Sequence, residues 1–340
     1  LGPKSLYVPA RPSLPHPKIN PFKSLFKQIK QQDLMLQVPY QSYHPVIDFL
    51  REAAIDPKVR SIRIALYRVA KRSDIINALI NAQKNGKKVI VILELQARFD
   101  EAANIKWAKI LQEANIKVLH GLKNIKIHAK LCLIGRKEAE DKMMYYAHIS
   151  TGNFNEDTAK IYADTGLFTA HKGITKEIKR IFQALENPST PPKPFNHLLV
   201  SPNQMVNSLH RFIDIEMANA KAGKPAYVIA KVNSLNDESL IEKLYQASQA
   251  GVVVKLIIRG ICSLIPGVKG LSENIEAISI VDKYLEHARY YMFRNADGDE
   301  RCYIASADLM ERNLYRRIEV ACPIYDPKLK WPRKESTELC

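Results

Sequence analysis

Two kinds of apolar spacing alternate along this chain. One recurs about every 3.6 residues and marks amphipathic helices; the other alternates in twos or runs solid and marks strands. "YHPVIDFLREAAIDPKV" reads as a helix ending near Asp56 and Pro57. "SIRIALYRVA" (61–70) reads as a strand, "RSDIINALINAQKNG" as a helix closed by Gly86, and "KKVIVILEL" (87–95) as a second strand. "FDEAANIKWAKILQEANI" follows as an amphipathic helix and "IKVLHG" as a further strand. "IKIHAKLCLI" (125–134) alternates and then turns wholly apolar, which predicts one continuous strand entering a core. "MMYYAHIS" (143–150) and "YADTGLFTA" (162–170) are strands, and a helix around "ITKEIKRIFQALE" closes the series. Strand and helix in alternation predict a layered α/β domain.

Residues 1–22 are rich in proline and have no apolar period, so they read as a linker before a first domain over 23–187. Proline recurs across 188–195, a second linker, and 196–340 form the second domain. That second domain repeats the first. "AYVIAKVNSL" resembles "SIRIALYRVA", and "DESLIEKLYQASQAGVVVKLIIRGICSLI" resembles "SDIINALINAQKNGKKVIVILELQARFD". The match places Gly251 on Gly86, Arg259 on Glu94 and Asn233 on Arg68. "LEHARYYMF" (285–293) matches "IKIHAKLCL", "CYIASADLM" matches "YAHISTGNF", and "RRIEVACPI" matches "YADTGLFTA". The expected architecture is two tandem α/β domains, each a mixed sheet flanked by helices, duplicated around a shared cleft.

Both copies carry H-x-(K/R) on a strand: His128 with Lys130, and His287 with Arg289. Residues i and i+2 of a strand share a face, so each histidine is expected beside a cation. A charged residue in a buried strand is costly unless it is used. A neutral imidazole is a good nucleophile toward phosphorus, and a nearby cation can hold a non-bridging oxygen. Asn153, in the turn "STGNFN", can donate to another oxygen, and the second histidine can act as acid or stabilise the transferring group. Arg68 and Arg98 stand at strand ends, where α/β sheets gather ligands. Arg259 holds the matching place in the second copy, ahead of a Gly- and Ser-rich stretch with Lys269. Tyr162 could stack on a base or donate its hydroxyl, or be an ordinary strand aromatic; Asp164 could orient a catalytic group.

Charge sharpens this reading. The 340 residues include 51 Lys and Arg against 35 Asp and Glu, a net charge of +16 spread along the chain, which favours polyanionic partners over a disordered basic arm. The five cysteines are odd in number and have no C-x-x-C pair, which argues against a disulfide framework or a zinc site and fits a reducing cytosolic compartment. No apolar run is long enough for a membrane helix. The first residue is Leu and no signal-peptide pattern follows, so a fragment of a longer protein, or a processed product, is expected.

The paired H-x-(K/R) strands resemble the phospholipase D superfamily, in which two halves each give a histidine to one site. That superfamily's motif continues with an aspartate where Ile134 and Gly135 stand here, and Arg289 replaces the second lysine. A closer resemblance is to the type-1 family of bacterial polyphosphate kinases. It is carried by "VPYQSYHPV", "ALYRVA", "ELQARFDEAANI", "IHAKLCLI", "STGNFNEDTA", "YADTGLFTA", "NSLND", "RGICSLIPGVKGLSENI", "LEHAR" and "SADLMERNLYRR", in order from about residue 33 to 325. The resemblance implies reversible, ATP-dependent extension of polyphosphate through a phosphohistidine at His128, with His287 as second histidine. It implies nucleotide-phosphate contacts for Tyr162, Arg259 and His287, with Lys130, Asn153 and Arg289 in the same site. It places Arg68 and Arg98 as phosphate holders beside Mg²⁺, with Asp164 a candidate neighbour. An arginine has no lone pair for a cation, so the ion's ligands are expected to be mainly phosphate oxygens and water. The family further implies a homodimer or tetramer in the cytoplasm, sometimes at the inner membrane, and no nucleic-acid partner. The family's amino-terminal domain and its helical dimer-contact domain have no counterpart in this sequence. Two other activities stay open at this point: a phospholipase D-like phosphodiesterase or nuclease, and a silent polyanion-binding fragment.

Overall fold

The alternation of strand and helix is realised twice over. The computed structural model describes residues 11–94, 101–121, 125–138, 142–189 and 193–330. The first half comprises α1 (Leu25–Gln31), β1 (Leu34–Val38), α2 (His44–Ile55), β2 (Val59–Leu66), α3 (Asp74–Lys84), β3 (Lys88–Leu93), α4 (Glu101–Glu113), β4 (Lys117–His120), β5 (Lys126–Ile127), β6 (Lys130–Lys137), β7 (Met143–Ser150), β8 (Tyr162–Thr169) and α5 (Lys172–Glu186). The second comprises β9 (Leu199–Ser201), α6 (Met205–Lys221), β10 (Tyr227–Val232), α7 (Glu238–Gln249), β11 (Val253–Ile258), β12 (Ile275–Ile278), β13 (Leu285–Glu286), β14 (Arg289–Phe293), β15 (Arg301–Ala305), α8 (Glu311–Tyr315) and β16 (Arg317–Pro323).

Each half builds a mixed sheet in the same order. The first runs β1-β8-β7-β6-β2-β3-β4, and the second runs β12-β11-β10-β14-β15-β16 with β9 on β16. In the first sheet β2, β3 and β4 are parallel and joined by α3 and α4; in the second β10, β11 and β12 are parallel, with α7 joining the first two and a connection without a helix leading to β12. The other neighbours in these two orders are antiparallel. The same local signals set matching helices. Ser73 caps α3 by accepting from Ile76 N, and Asp237 caps α7 by accepting from Leu240 N. Both helices end at a glycine with positive φ, Gly86 at 75° and Gly251 at 88°, where a Cβ would be strained.

The halves share a core. Beside one apolar cluster in each half, a third draws Leu131, Leu133, Ile149 and Leu167 from the first sheet, Ile304, Val320 and Cys322 from the second, and Ile174, Ile178 and Phe182 from α5 between them. Buried Glu177 of α5 accepts backbone N–H groups of Asn196 (2.7 Å), His197 (3.1 Å) and Leu198 (2.8 Å), which pins the chain where it enters the second half. Residues 11–22 contain no helix, but Leu14 bridges to Gln41 and His16 Nε2 lies 3.0 Å from Met35 O. Cys132, Cys302 and Cys322 are buried thiols and Cys262 is an exposed one; Cys340 lies outside the described residues. Among the described residues no helix is long and apolar enough to cross a membrane.

The continuous strand expected over 125–134 does not form. It divides into β5 and β6, and the matching stretch 285–293 divides into β13 and β14. The break falls at the histidine and the alanine after it in both halves, because the short piece before the break belongs to the other half's sheet. β5 pairs with β16, and β13 pairs with β8. The strand over 61–70 likewise stops at Leu66, where the chain turns through Tyr67 and Arg68.

One buried histidine belongs to the fold rather than to a site. His148 of β7 lies against Phe154 and Phe168, neither ring nitrogen has a hydrogen-bond partner among the described residues, and burial lowers its pKa to about 3. The folded state therefore keeps it neutral while the unfolded state binds a proton below its ordinary value of 6.5. Stability tied to this group is intact above that pH and is lost as pH falls, by about 2 kcal/mol at pH 5. In denaturant titrations between pH 7 and pH 5, His148→Leu is expected to flatten the pH slope of unfolding free energy by about one proton. An unchanged slope would contradict the assignment.

Candidate active site

The two strand breaks place the histidines at a crossing between sheets. Where β5 leaves β16, the N–H groups of His128 and Ala129 both donate to Ile318 O, at 3.0 and 2.9 Å. Where β13 leaves β8, those of His287 and Ala288 both donate to Ala163 O, at 3.1 and 2.8 Å. The backbone fixes each imidazole beside a strand of the opposite half, and the next residue along that strand is an acid.

His128 Nδ1 lies 2.8 and 2.9 Å from the carboxylate oxygens of Glu319. His287 Nδ1 lies 2.8 and 2.9 Å from those of Asp164. A carboxylate only accepts, so each histidine carries its proton on Nδ1 and leaves an Nε2 lone pair. Each acid is steadied by a hydroxyl from the adjoining strand's turn. Thr151 Oγ1 donates to Asp164 at 2.6 Å and accepts from Thr165 N; Ser306 Oγ donates to Glu319 at 2.5 Å and accepts from Val320 N. Glu319 also accepts from Asn313 Nδ2 of α8 at 2.6 Å. It is 0% exposed, so these three donors replace the water it has lost.

Burial is the largest influence on both imidazoles and lowers their pKa. For His128 Glu319 opposes it and Lys130 adds to it; for His287 Arg289 adds to it and Asp164 opposes it. Both histidines are therefore neutral near pH 7. Burial works to raise the two acids, but for Glu319 the contacts with His128 and for Asp164 those with His287 outweigh it and hold each below its ordinary value.

Lys130 is buried, and its Nζ bends back to donate to His128 O at 2.5 Å rather than standing beside the imidazole as expected. Burial brings its pKa down to about 7, with Glu319 holding it up and Arg289 pressing it further down. Arg289 is also buried and makes a two-point ion pair with Asp308, through Nε at 3.2 Å and Nη2 at 3.1 Å. Asn233 N donates to the same acid at 2.7 Å, and Arg259 Nε donates to Asn233 Oδ1. Arg259 is lowered by burial and then by the neighbouring Arg289 cation, while Tyr162 and Asp164 act on it in the other direction. Tyr162 packs on His287 with ring centroids 5.1 Å apart. Behind this dyad a cavity of about 980 Å³ opens between the halves, lined by Asp164, Glu286, Tyr290 and Lys231 among others, with Lys231 paired to Glu286 at 2.7 Å.

The structure thus brings His128, Lys130, Asp164, Tyr162, Arg259, His287 and Arg289 together. Asn153 sits in the turn after β7, with its Oδ1 buried and without a hydrogen-bond partner among the described residues. Arg68 is partly buried just past β2, next to Tyr67, whose ring meets that of His128 edge-on at 4.9 Å. Arg98 lies outside the described residues. Among the described residues no cluster of three or more His, Cys, Asp or Glu side chains could hold a metal ion, and Asp164 is engaged by His287 and Thr151. The described side chains do not make a cage for Mg²⁺.

Sequence reasoning missed Glu319, Ser306, Asn313 and Tyr67. Matching "RRIEVACPI" to "YADTGLFTA" letter by letter sets Asp164 on Ile318. The registers show the copies one residue apart from that: β13 meets β8 at Ala163 as β5 meets β16 at Ile318, so Asp164 corresponds to Glu319. The acid following Ile318 was the available signal.

Residues 24–191 match the sequence pattern described as polyphosphate kinase C-terminal domain 1, and residues 198–338 match polyphosphate kinase C-terminal domain 2. The polyphosphate kinase of Vibrio cholerae is 52% identical over 309 residues, 91% of this chain and 44% of that protein. That of Escherichia coli K12 is 51% identical over the same share of each. The crystal structure of polyphosphate kinase from Porphyromonas gingivalis superposes with a TM-score of 0.87 at 41% identity, covering 98% of this chain and 54% of that one. The chain spans less than half the length of the curated relatives it matches, at 44%. Two consecutive domain patterns, identity above one half and a shared three-dimensional frame agree, and the chain belongs to the polyphosphate kinase family.

Proposed function

We propose that this chain carries the phosphoryl-transfer centre of a polyphosphate kinase, which moves the terminal phosphoryl group of ATP to polyphosphate and back through a phosphohistidine at His128. The observation that carries the reading is the His128–Glu319 dyad. Nδ1–H is held by a buried carboxylate at 2.8 Å, and Nε2 has no hydrogen bond among the described residues. Nε2 attacks the γ-phosphorus, the N–P bond forms as the P–O bond to ADP breaks, and ADP leaves with the electron pair. Positive charge grows on the ring in this step, and Glu319 offsets it. The terminal oxygen of a polyphosphate chain then attacks the same phosphorus and the N–P bond breaks, which restores His128.

The charge spread over the transferring oxygens has to be met by fixed cations and donors. Lys130, Arg259 and Arg289 supply cations beside the dyads, Asn153 supplies an amide, and His287 stabilises the group or moves a proton. Tyr162 is proposed to meet the nucleotide. Arg68 and Arg98 are proposed to hold phosphates next to the Mg²⁺ that accompanies the nucleotide, with Asp164 serving His287 rather than the ion. The net charge of +16 suits a polyanionic chain as partner, with nucleic acid outside the proposal. Cytoplasmic location, assembly as a homodimer or tetramer and peripheral contact with the inner membrane are proposed from the family alone.

Incubation with γ-³²P-ATP and Mg²⁺ is expected to label the protein with a bond lost in acid and stable in base. His128→Ala is expected to abolish that label; a label retained in the variant would sink the assignment. Glu319→Gln can no longer fix the Nδ1–H tautomer, and the rate of label formation is expected to fall by about 10²–10⁴. A rate within threefold of the unmodified protein would contradict the role given to Glu319. Release of nitrophenol from bis-nitrophenyl phosphate without nucleotide would favour diester hydrolysis instead.

A further inference from the structure

The two halves are built alike, yet they hold their histidines differently. Lys130 faces Ser150 across the first sheet, and Arg289 faces Ala305 across the second. Three residues beyond those partners stand Asn153 and Asp308. The first histidine is accompanied by a lysine and an asparagine, the second by an arginine and an aspartate at the same places.

That exchange changes what each imidazole meets. Asp308 grips the Arg289 guanidinium at two points, and the remaining nitrogen, Nη1, donates to His287 O at 2.8 Å. Nη1 then lies 3.1 Å from His287 Nε2 and 3.3 Å from Nδ1. An atom almost equidistant from both ring nitrogens sits over the ring. Lys130 Nζ is bound to the carbonyl of His128, and among the described residues it has no hydrogen bond to the imidazole. Asn153 brings no charge to that side. Solvent access does not separate the two, since the side chains of His128 and His287 are 12% and 13% exposed.

Nucleophilic attack by an imidazole puts positive charge on the ring. A permanent cation fixed over the ring opposes that charge, and in a site this poor in water the opposition is weakly screened. An ammonium tied to the backbone, which sheds its proton far more readily than a guanidinium, opposes it less.

We propose that the Arg289–Asp308 pair keeps His287 from acting as a phosphorus nucleophile, so that the phosphoryl group enters through His128 alone. The inference rests on the phosphohistidine reading above. Arg289 and Asp308 act here as positioning residues: they decide which of two equivalent histidines reacts. With Lys and Asn at these places, Nε2 of His287 would attack the γ-phosphorus, the N–P bond would form as the P–O bond to ADP breaks, and the proton would stay on Nδ1, hydrogen-bonded to Asp164.

Two arms test this. In the first, the unmodified protein without nucleotide is treated with diethyl pyrocarbonate, and modification at each histidine is followed by mass spectrometry. His128 is expected to react faster than His287 by about tenfold or more. Equal rates, or a faster His287, would overturn the proposal. Arg289→Lys with Asp308→Asn is expected to raise the His287 rate severalfold, and no rise in a folded variant would count equally against it. The second arm uses γ-³²P-ATP. The triple variant His128→Ala, Arg289→Lys, Asp308→Asn is expected to regain an acid-labile label that His128→Ala alone lacks, and added His287→Ala is expected to remove it. If the unmodified protein labels and the triple variant melts normally but stays unlabelled, the proposal fails. If the unmodified protein itself does not label, the phosphohistidine reading fails, and the pyrocarbonate rates alone decide the proposal. They decide it likewise if the triple variant does not fold.

Discussion

Everything at this site depends on one exchange of backbone. Each half lends two residues of strand to the other's sheet, β5 to β16 and β13 to β8, and the chain returns to its own sheet through a histidine. A strand edge has unpaired N–H and C=O groups, and pairing them is strongly favoured in a buried setting. The borrowed residues satisfy β8 and β16 and at the same time set the positions of His128 and His287. The acid that orients each histidine comes next along the borrowed edge, so neither half has a complete dyad by itself. The shared core around α5 holds the two sheets in the register that this exchange needs.

The second constraint is charge in a place with little water. Lys130, Arg289, Asp164, Asp308 and Glu319 are all nearly inaccessible, and each is paired or bonded to a polar neighbour. Isolated, any of them would be costly to bury. Burial keeps both imidazoles neutral near pH 7 and brings the lysine to about 7, against the pull of the acids in the network. Ion pairs of this kind seldom add much stability over apolar packing. Their value lies in a site with fixed dipoles and cations that need not reorganise when charge moves.

Much of this was legible in the sequence. The strands β7 and β8 fall where the apolar pattern puts them, and the duplication places both H-x-(K/R) motifs at one site. What periodicity cannot express is which sheet a strand joins. "IKIHAKLCLI" has a strand pattern on both sides of His128, and nothing in its spacing marks the change of sheet there. Glu319 stayed hidden for a related reason. The two copies differ in loop length, so matching by letters drifts by one residue in the last two strands, while hydrogen-bond register does not. Asp164 was visible because it stands in a strongly patterned string, but its partner in the other half was not.

The exchange itself can be read most directly from the histidines. With ¹⁵N-labelled imidazoles, side-chain NMR reports the tautomer and protonation of each ring across pH 8 to 5. His128 is expected to be a neutral Nδ1–H tautomer throughout, and His287 to be one near pH 7 and to titrate below its ordinary value of 6.5, with Glu319→Ala disturbing the signals of His128 and Asp164→Ala those of His287. Nε2–H tautomers, titration near pH 6.5, or a carboxylate variant that disturbs only the histidine of its own half would contradict the account.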